Sequence, residues 1–249
     1  VINNMEVFIM KIIALSGKMG VGKDYIADKL IARLHENKLD VERLAFADPL
    51  RMELDDIVRM IKCYDTPLTM AKKMQVSENE IRQLIEIFDT EPTFSRPDFS
   101  LRNRPLRYRE LMQYWGTDVR RKHDKNYWTQ KIINIITDNA PFVDVFVVTD
   151  VRFYNELKAL LEFDNTFTVR VNADEKLREQ RVTNRDDVTP TESELNHASE
   201  LAMDDNDDEI MSLFDLVVVS TGNNGNEIVD KIMKNWNAKT NKKMVVENL

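Results

Sequence analysis

The most informative segment of the chain is Ser16-Gly17-Lys18-Met19-Gly20-Val21-Gly22-Lys23-Asp24. Within it, residues 17–23 fit the pattern G-x-x-x-x-G-K, which forms a phosphate-binding loop when a strand precedes it and a helix follows it. Both neighbours are predicted, because residues 8–15 form an apolar run and residues 26–34 carry apolar side chains at helical spacing. The segment therefore predicts a nucleoside triphosphate site within an α/β domain.

The residue types in the loop explain how it would hold phosphates. Glycines permit backbone conformations that turn successive N–H groups inward, and the N-terminus of the following helix adds positive potential. The lysine is expected to reach the β- and γ-phosphates. The residues predicted to bind the nucleotide in this segment are Gly17, Gly20, Val21, Gly22, Lys23 and Asp24, with Lys23 also a candidate catalytic residue.

The residue after the lysine departs from the usual pattern. A Ser or Thr whose hydroxyl contacts Mg²⁺ is usual at this position, which is occupied here by Asp24. A carboxylate is an oxygen ligand of the kind that Mg²⁺ accepts, so Asp24 is a candidate metal ligand. The alternative is that Asp24 only favours the positive end of the helix.

A second candidate group follows a nearly continuous apolar run at residues 142–149, which is typical of a strand buried on both faces. The group is Asp150-Val151-Arg152. Ligands of parallel sheets bind beyond the carboxyl ends of the strands, where the glycine loop and Asp150 would both lie. Asp150 suits a role beside Mg²⁺ or as a general base, and Arg152 offers a planar fork for a phosphate. The alternative is a helix-capping aspartate followed by a solvated arginine.

Arginines are concentrated in two further regions. Arg178, Arg181 and Arg185 precede an acidic segment, at the place where nucleotide kinases carry a lid that brings arginines onto the transferring phosphoryl group. Arg181 is therefore a candidate catalytic residue, and the alternative is a helix surface paired with neighbouring glutamates. The other concentration suggests a basic mouth for an acidic substrate and consists of Arg96, Arg102, Arg104, Arg107, Arg109, Arg120 and Arg121.

Strands and helices alternate along the remainder of the chain, with strands predicted at residues 41–46, 142–149, 166–171 and 216–220. This alternation predicts a parallel sheet of the P-loop NTPase type, flanked by helices. Asp48 and Pro49 predict the start of a helix, with Asp48 as its N-cap. We expect one kinase-type domain over residues 1–236, with a substrate-binding insertion at 64–105, a lid at 174–200 and a polar, frayed tail at 237–249.

Composition and charge exclude several classes of protein. The net charge of −8 argues against a general binder of nucleic acid or membrane surfaces. Cys63 is the single cysteine, so the sequence has no disulfide framework and no cysteine-rich metal site. No apolar run is long enough to span a bilayer. We expect a cytoplasmic monomer or homodimer whose partners are small molecules.

A GTPase is the obvious rival, because Asn37-Lys38-Leu39-Asp40 fits the base-reading pattern N-K-x-D. That motif should follow a later buried strand, whereas this match ends the first predicted helix. The pattern D-x-x-G, which senses the γ-phosphate in GTPases, occurs nowhere in the sequence. The match is therefore interpreted as a turn that ends the helix.

The chain resembles the phage-type deoxynucleoside monophosphate kinases, relatives of other P-loop kinases of small metabolites. The motifs that carry this resemblance extend over about residues 11–225. Besides residues 16–24 they are Phe46-Ala47-Asp48-Pro49-Leu50, Leu111-Met112-Gln113-Tyr114-Trp115-Gly116-Thr117-Asp118 with Arg121, Thr149-Asp150-Val151-Arg152-Phe153-Tyr154-Asn155-Glu156, and His197-Ala198-Ser199-Glu200.

The resemblance implies ATP and Mg²⁺ as co-substrate and cofactor, and a deoxynucleoside monophosphate as phosphate acceptor. It places Thr221 and Gly222 near the adenine. It also implies a host-cytoplasmic location if the chain is of phage origin. The acceptor contacts that it implies are Asp48, Gln113, Trp115, Gly116, Asp118, Arg121, Arg152 and Glu200.

Two alternatives stay open at this point. A kinase of another phosphorylated metabolite, such as dephospho-coenzyme A or phosphomevalonate, would use the same loop and the same arginines. A nucleotide-binding switch ATPase would need only the loop, but the absence of D-x-x-G and the clustering of arginines count against it. Release of ADP that depends on an acceptor separates the kinases from the switch.

Overall fold

A computed structural model describes residues 10–89, 106–186, 201–203, 205 and 207–247. The five strands are β1 (Lys11–Ser16), β2 (Val41–Leu44), β3 (Val145–Val151), β4 (Thr166–Asn172) and β5 (Leu216–Val219). The helices up to residue 113 are α1 (Lys23–Glu36), α2 (Ala47–Lys62), α3 (Pro67–Met74), α4 (Glu78–Asp89) and α5 (Leu106–Gln113). The later helices are a π-helix (Tyr114–Arg121), α6 (Tyr127–Asn139), α7 (Tyr154–Leu161), α8 (Glu175–Asp186), α9 (Asp208–Met211) and α10 (Gly225–Glu247).

The strands form one parallel sheet in the order β2-β3-β1-β4-β5. β1 is therefore the central strand, with β3 on one side and β4 on the other. Every residue of β1 from Ile12 to Ser16 is buried, and β3 is buried at every position except Asp150. Burial on both faces explains why β3 is a continuous apolar run. The predicted α/β fold with a parallel sheet flanked by helices is confirmed.

The described chain divides into two compact units. The first, called the sheet unit here, consists of the residues up to 45 and from 132 onward and contains the whole sheet. Its core joins β1, β3 and β4 to α1 and α10, through side chains such as Leu30, Val147 and Ile232 that have no exposed surface. Burial of one such side chain contributes about 1.5–3 kcal/mol to stability.

The second unit is helical and consists of residues 46–131. Its core takes side chains from α2, α3, α4, the π-helix and the start of α6, with Ile57, Trp115 and Trp128 almost completely enclosed. It extends beyond the insertion predicted at 64–105, of which residues 90–105 lie outside the described part of the chain. None of the described helices combines the length and the apolar character that crossing a bilayer requires.

Two local predictions were wrong. The second helix begins at Ala47 with Phe46 as N-cap, because Phe46 already has helical dihedral angles and the Asp48 carboxylate pairs with Arg51 inside the first turn. The last helix continues to Glu247 instead of fraying from Asn237, and Lys239 anchors it to Asp215 and to the carbonyl of Thr166.

The turn predicted at residues 37–40 is confirmed. α1 ends at Glu36, Asn37 caps it, and Lys38 adopts a left-handed conformation with φ of 61°. The N-K-x-D match therefore lies between α1 and β2, at the amino end of the sheet.

Candidate active site

The glycine loop follows the central strand, at the carboxyl edge of the sheet. Three of its residues, Gly17, Gly20 and Gly22, have positive φ angles of 149°, 80° and 95°. Two of them are also sterically restricted, because a Cβ on Gly17 would lie 2.3 Å from the carbonyl oxygen of Val171 and one on Gly20 would lie 2.5 Å from that of Arg178. The loop therefore needs glycine both for its conformation and for its packing against β4 and α8.

Lys23 begins α1 and lies beneath the loop, with 7% of its surface exposed. Its ammonium group donates hydrogen bonds to the carbonyl oxygens of Gly17 and Lys18, the second at 3.0 Å. These contacts hold the positively charged ammonium group against the backbone of the loop. The placement agrees with a lysine that stabilises phosphate oxygens bound in the same loop.

Arg181 lies in α8 and contacts the loop from outside. Its guanidinium donates to the carbonyl oxygens of Gly20 and Val21, at 3.1 and 3.0 Å, and to the hydroxyl of Ser220 at 3.1 Å. Burial lowers the pKa of Arg181, although an arginine stays charged at any physiological pH. A Cβ on either Gly22 or Gly222 would lie 3.5 Å from the guanidinium. The arginine therefore lies between the loop and the turn that follows β5.

That turn contains Thr221 and Gly222, which are both exposed. Asn224 stabilises it, because its side chain accepts a hydrogen bond from the Thr221 N–H at 3.0 Å and donates one to the Val219 carbonyl at 2.8 Å. Gly222 has a φ of 105°. The structure thus brings Arg181, the glycine loop and residues 221–222 together.

Asp24 is exposed and paired with Arg43 of the strand segment β2. Arg43 bridges two carboxylates of α1, Asp24 and Asp28, at 2.5 Å each. No cluster of three or more His, Cys, Asp or Glu side chains suited to a metal is found in the described ranges. Mg²⁺ in kinases commonly takes only one or two carboxylates together with water and phosphate oxygens, so Asp24 at the end of the loop fits such a partial site.

The Asp150 group lies at the carboxyl end of β3, beside the loop. Strand pairing aligns Ser16 with Val151, and the Ser16 hydroxyl donates to the Val151 carbonyl at 2.8 Å. The carboxylate of Glu156, which is 1% exposed, accepts hydrogen bonds from the N–H groups of Arg152 and Phe153 at 2.8 and 3.1 Å. A glutamate three residues into a helix often closes the turn before it in this way. Asp150 and Arg152 are half-buried at the edge of the sheet that carries the loop.

The predicted acceptor contacts of the helical unit fall into two groups. Trp115 and Gly116 are packing residues in this structure, because the Trp115 ring is fully enclosed and a Cβ on Gly116 would lie 2.7 Å from Leu50. The others are accessible: Asp118 is exposed, whereas Asp48, Gln113 and Arg121 are half-buried. The acceptor role of all six residues stays a prediction.

Glu53 organises a buried polar cluster that the sequence did not reveal. Its carboxylate accepts hydrogen bonds from Trp115 at 3.0 Å and Arg120 at 2.9 Å, and from the hydroxyl of Tyr127. Lys131 lies 3.2 Å away. Burial and the bond to Glu53 raise the pKa of Tyr127 well above its usual value. Arg120, counted above among the arginines of a basic mouth, is thus enclosed and paired, and that part of the prediction was wrong.

Several predicted residues lie outside the described part of the chain. They are Glu200 and the motif that contains it, Arg96, Arg102 and Arg104, and the side chains of Arg107, Arg109 and Arg185. The same holds for residues 187–200 of the predicted lid.

Comparison with protein families found a match to the sequence model of the deoxynucleotide monophosphate kinases, over residues 47–217. The comparison with curated proteins found no match. Among solved structures, a gluconokinase from Sinorhizobium meliloti 1021 is 13% identical with a TM-score of 0.49, covering 97% of this chain and 99% of its own. A shikimate kinase from Bacteroides thetaiotaomicron is 13% identical with a TM-score of 0.40, covering 90% of this chain and 97% of its own.

Proposed function

The chain belongs to the deoxynucleotide monophosphate kinase family, and we propose from this premise that it transfers the γ-phosphate of ATP to deoxynucleoside monophosphates. The observation that carries the proposal is a complete phosphate-binding loop in a chain whose family match begins only at residue 47. Because the loop lies outside the matched residues, the loop and the family match support a nucleotide-dependent kinase independently.

In the proposed reaction the chain acts mostly by positioning and by stabilising charge. The inward N–H groups of residues 17–22 and the start of α1 hold the phosphates of ATP. Lys23 leaves its carbonyl partners for the β- and γ-phosphate oxygens, where it offsets the negative charge that develops during transfer. The acceptor phosphate is already a competent nucleophile, so the protein needs chiefly to align it with the γ-phosphorus.

The residues that would hold Mg²⁺ are Asp24 and Asp150, through oxygen atoms. The ion, when bound with ATP, would neutralise charge between the β- and γ-phosphates. Asp24 must then exchange its contact with Arg43 for one with the ion or its water. This exchange costs little, because ion pairs between exposed side chains contribute about 0–1 kcal/mol.

Arg181 is proposed to serve the donor nucleotide. Its contacts with the loop carbonyls leave a flat cationic group beside Gly22 and Gly222, where the adenine of ATP is expected. A guanidinium in this position can stack on a base and add to the positive potential of the loop. From the sequence we predicted instead that Arg181 contacts the transferring phosphoryl group. That role requires its present hydrogen bonds to the loop to break.

The acceptor is proposed to bind through Arg152, whose guanidinium can donate two parallel hydrogen bonds to a phosphate. Asp118 and Arg121 are accessible polar groups of the helical unit and are proposed as further acceptor contacts. A crowded or apolar wall at the 2′ position would suffice to disfavour ribonucleotides. A base edge that stays in contact with water would allow more than one base.

An ADP-release assay with ATP, Mg²⁺ and a panel of acceptors tests the proposal. Deoxynucleoside monophosphates should give the fastest turnover, with ribonucleoside monophosphates slower, and dephospho-coenzyme A and phosphomevalonate should give essentially none. A metabolite that outruns every nucleotide would replace the proposed acceptor class. ADP release that no acceptor stimulates would point to the switch ATPase instead.

A further inference from the structure

Arg170 is a buried charge to which the proposed reaction gives no role. It lies in β4 with 2% of its surface exposed, and its guanidinium contacts two separate segments of the sheet unit, at residue 16 and at residues 203–205. It donates to the Ser16 hydroxyl at 2.9 Å, to the Asp205 carboxylate at 2.7 Å and to the Met203 carbonyl at 3.0 Å. Burying a charge is costly unless it is paired and hydrogen-bonded, and this set of contacts meets that requirement.

The contact with Ser16 has a defined direction. Arginine can only donate, so the Ser16 oxygen accepts from Arg170 and its single hydrogen goes to the Val151 carbonyl, at 2.8 Å. Ser16 immediately precedes the glycine loop, and Val151 lies between Asp150 and Arg152. One hydroxyl with no exposed surface therefore connects the two groups of residues that the proposed function brings together.

The backbone alone does not fix their spacing. Ala14 pairs with Val148, but Ser16 pairs with Val151, so β3 contains one extra residue at this point. Such a bulge disrupts the regular hydrogen bonds between strands and redirects a side chain, and the extra residue lies at positions 149–150. The bond from Ser16 to Val151 restores the connection immediately after the bulge.

We infer that Ser16 and Arg170 are positioning residues that hold Asp150 and Arg152 at a set distance from the phosphate loop. Through the same guanidinium, the chain at Met203 and Asp205 is coupled to nucleotide binding. The inference rests on the nucleotide binding included in the proposed function, but it does not depend on which acceptor is used. Coupling between two sites is reciprocal, so nucleotide binding should in turn stabilise the contacts of Asp205.

Binding of a non-hydrolysable ATP analogue, without acceptor, tests the coupling. We expect Asp205→Ala and Ser16→Ala each to weaken analogue binding by about fivefold. Because both substitutions act through Arg170, the loss of binding in the double variant should be well below the product of the two single losses. Asp205→Asn should recover part of the loss, since an amide oxygen can still accept from the guanidinium.

Asp215→Ala is the matched control. Asp215 resembles Asp205 in exposure, with 26% against 29% for the side chain, and it also has a cationic partner, Lys239. It contacts β4 as well, through Thr168, but at the amino end of β5 and away from the loop. The control should lower stability and leave analogue binding unchanged.

Hydrogen exchange gives a second readout. The analogue should slow exchange at residues 149–152, 201–203 and 205 in the wild type, and this protection should shrink in Ser16→Ala, which keeps the Arg170–Asp205 ion pair. If Asp205→Ala does not fold, Ser16→Ala alone decides the question.

Three outcomes have separate meanings. Unchanged analogue binding and protection in a folded Ser16→Ala would overturn the inference and leave the proposed function intact. If the variants weaken analogue binding as expected but no acceptor stimulates ADP release by the wild type, the proposed acceptor is overturned and the inference stays intact. A wild type that binds no analogue would overturn both.

Discussion

Arg181 of the sheet unit and Arg120 of the helical unit are both held by several partners, but the partners differ in kind. Arg120 is 7% exposed, donates to the Glu53 carboxylate at 2.9 Å, and lies 4.7 and 4.6 Å from the ring centres of Trp115 and Tyr127. The acceptors of Arg181 among the described residues are two carbonyls and a hydroxyl. The charge of Arg120 is paired with a carboxylate, whereas the acceptors of Arg181 in the described part of the chain are all uncharged.

This difference indicates a structural role for Arg120 and a ligand-binding role for Arg181. A cation paired with a buried carboxylate contributes little positive potential to its surroundings, and it acts by fixing the elements that carry the pair. A cation held by neutral oxygens keeps its field, which an anionic ligand can use at no cost of breaking an ion pair. The clustering of arginines in a sequence is therefore weak evidence for an anion-binding site. The charge of the groups that accept hydrogen bonds from each arginine is better evidence.

The largest effect is expected at Lys23, whose charge is directed into the loop. Lys23→Met should reduce turnover by about 10³-fold, because it removes a group that offsets charge in the transition state. The melting temperature should change little, since the carbonyl partners can bind water. Steady-state kinetics with thermal unfolding measures both. Lys29→Met, on the same helix, is the control, and near-normal turnover in Lys23→Met would remove the lysine from the mechanism.

The pair Arg120→Met and Arg181→Met tests the comparison directly. Arg120→Met should lower the free energy of unfolding by about 3 kcal/mol, because it leaves the buried Glu53 carboxylate without one of its cations. Arg181→Met should weaken ATP-analogue binding by about tenfold and change the stability by less than about 1 kcal/mol. Urea unfolding and calorimetric titration of both variants give the two quantities. The reverse pattern would contradict the division of roles.

A smaller effect is expected at Asp24. Asp24→Ala should raise the Mg²⁺ concentration for half-maximal turnover by about fivefold, or ~1 kcal/mol, if the carboxylate helps to hold the ion. Asp28→Ala is the matched control, because Arg43 pairs with both residues. The measurement is a Mg²⁺ titration at saturating ATP. Identical titration curves for wild type and Asp24→Ala would retire the metal role.

The smallest effect concerns pH and the helical unit. Burial by itself would raise the pKa of Glu80, but hydrogen bonds from Ser77 and His123 lower it below its ordinary value of 4.5. A carboxylate with a lowered pKa stabilises the fold above the unfolded-state value and loses this contribution as the pH falls through the folded-state value. Glu80→Gln should thus cost less than about 1 kcal/mol at neutral pH, with the difference vanishing in acid. A difference that grows below pH 4.5 would contradict this assignment.

The sheet and the phosphate loop could be predicted because their signals are local. The run from Ile12 to Ser16, the glycine spacing and the apolar face of α1 each depend on residues close in sequence. The buried strand before Asp150 was visible for the same reason. Of the two helix-level errors, the one at the last helix arose from a tertiary contact, that of Lys239 with Asp215. The pairing of Asp48 with Arg51 is local to the first turn of α2.

The residues that hold the site together could not be predicted in the same way. Ser16 was quoted only as part of the loop motif, and Arg170 is one charged residue in an apolar strand. Its partners, Ser16 and Asp205, are 154 and 35 positions away in sequence. Glu53 likewise finds Trp115 and Arg120 at distances of 62 and 67 positions. A charged residue within an apolar, buried strand is the one signal that could have marked Arg170, since a buried charge needs a partner.

The central place of β1 has a consequence for biosynthesis. β1 ends at Ser16, whereas its two neighbours in the sheet begin at Val145 and Thr166, so β1 cannot pair until the ribosome has added β3, and cannot pair on both sides until it has added β4. The helical unit needs no such delay, because every member of its core lies between Leu50 and Trp128. A nascent chain therefore carries the apolar β1 unpaired while residues 46–131 can already pack, and exposed strands of this kind aggregate readily. We expect truncated chains that stop before β3 to depend on chaperones for solubility.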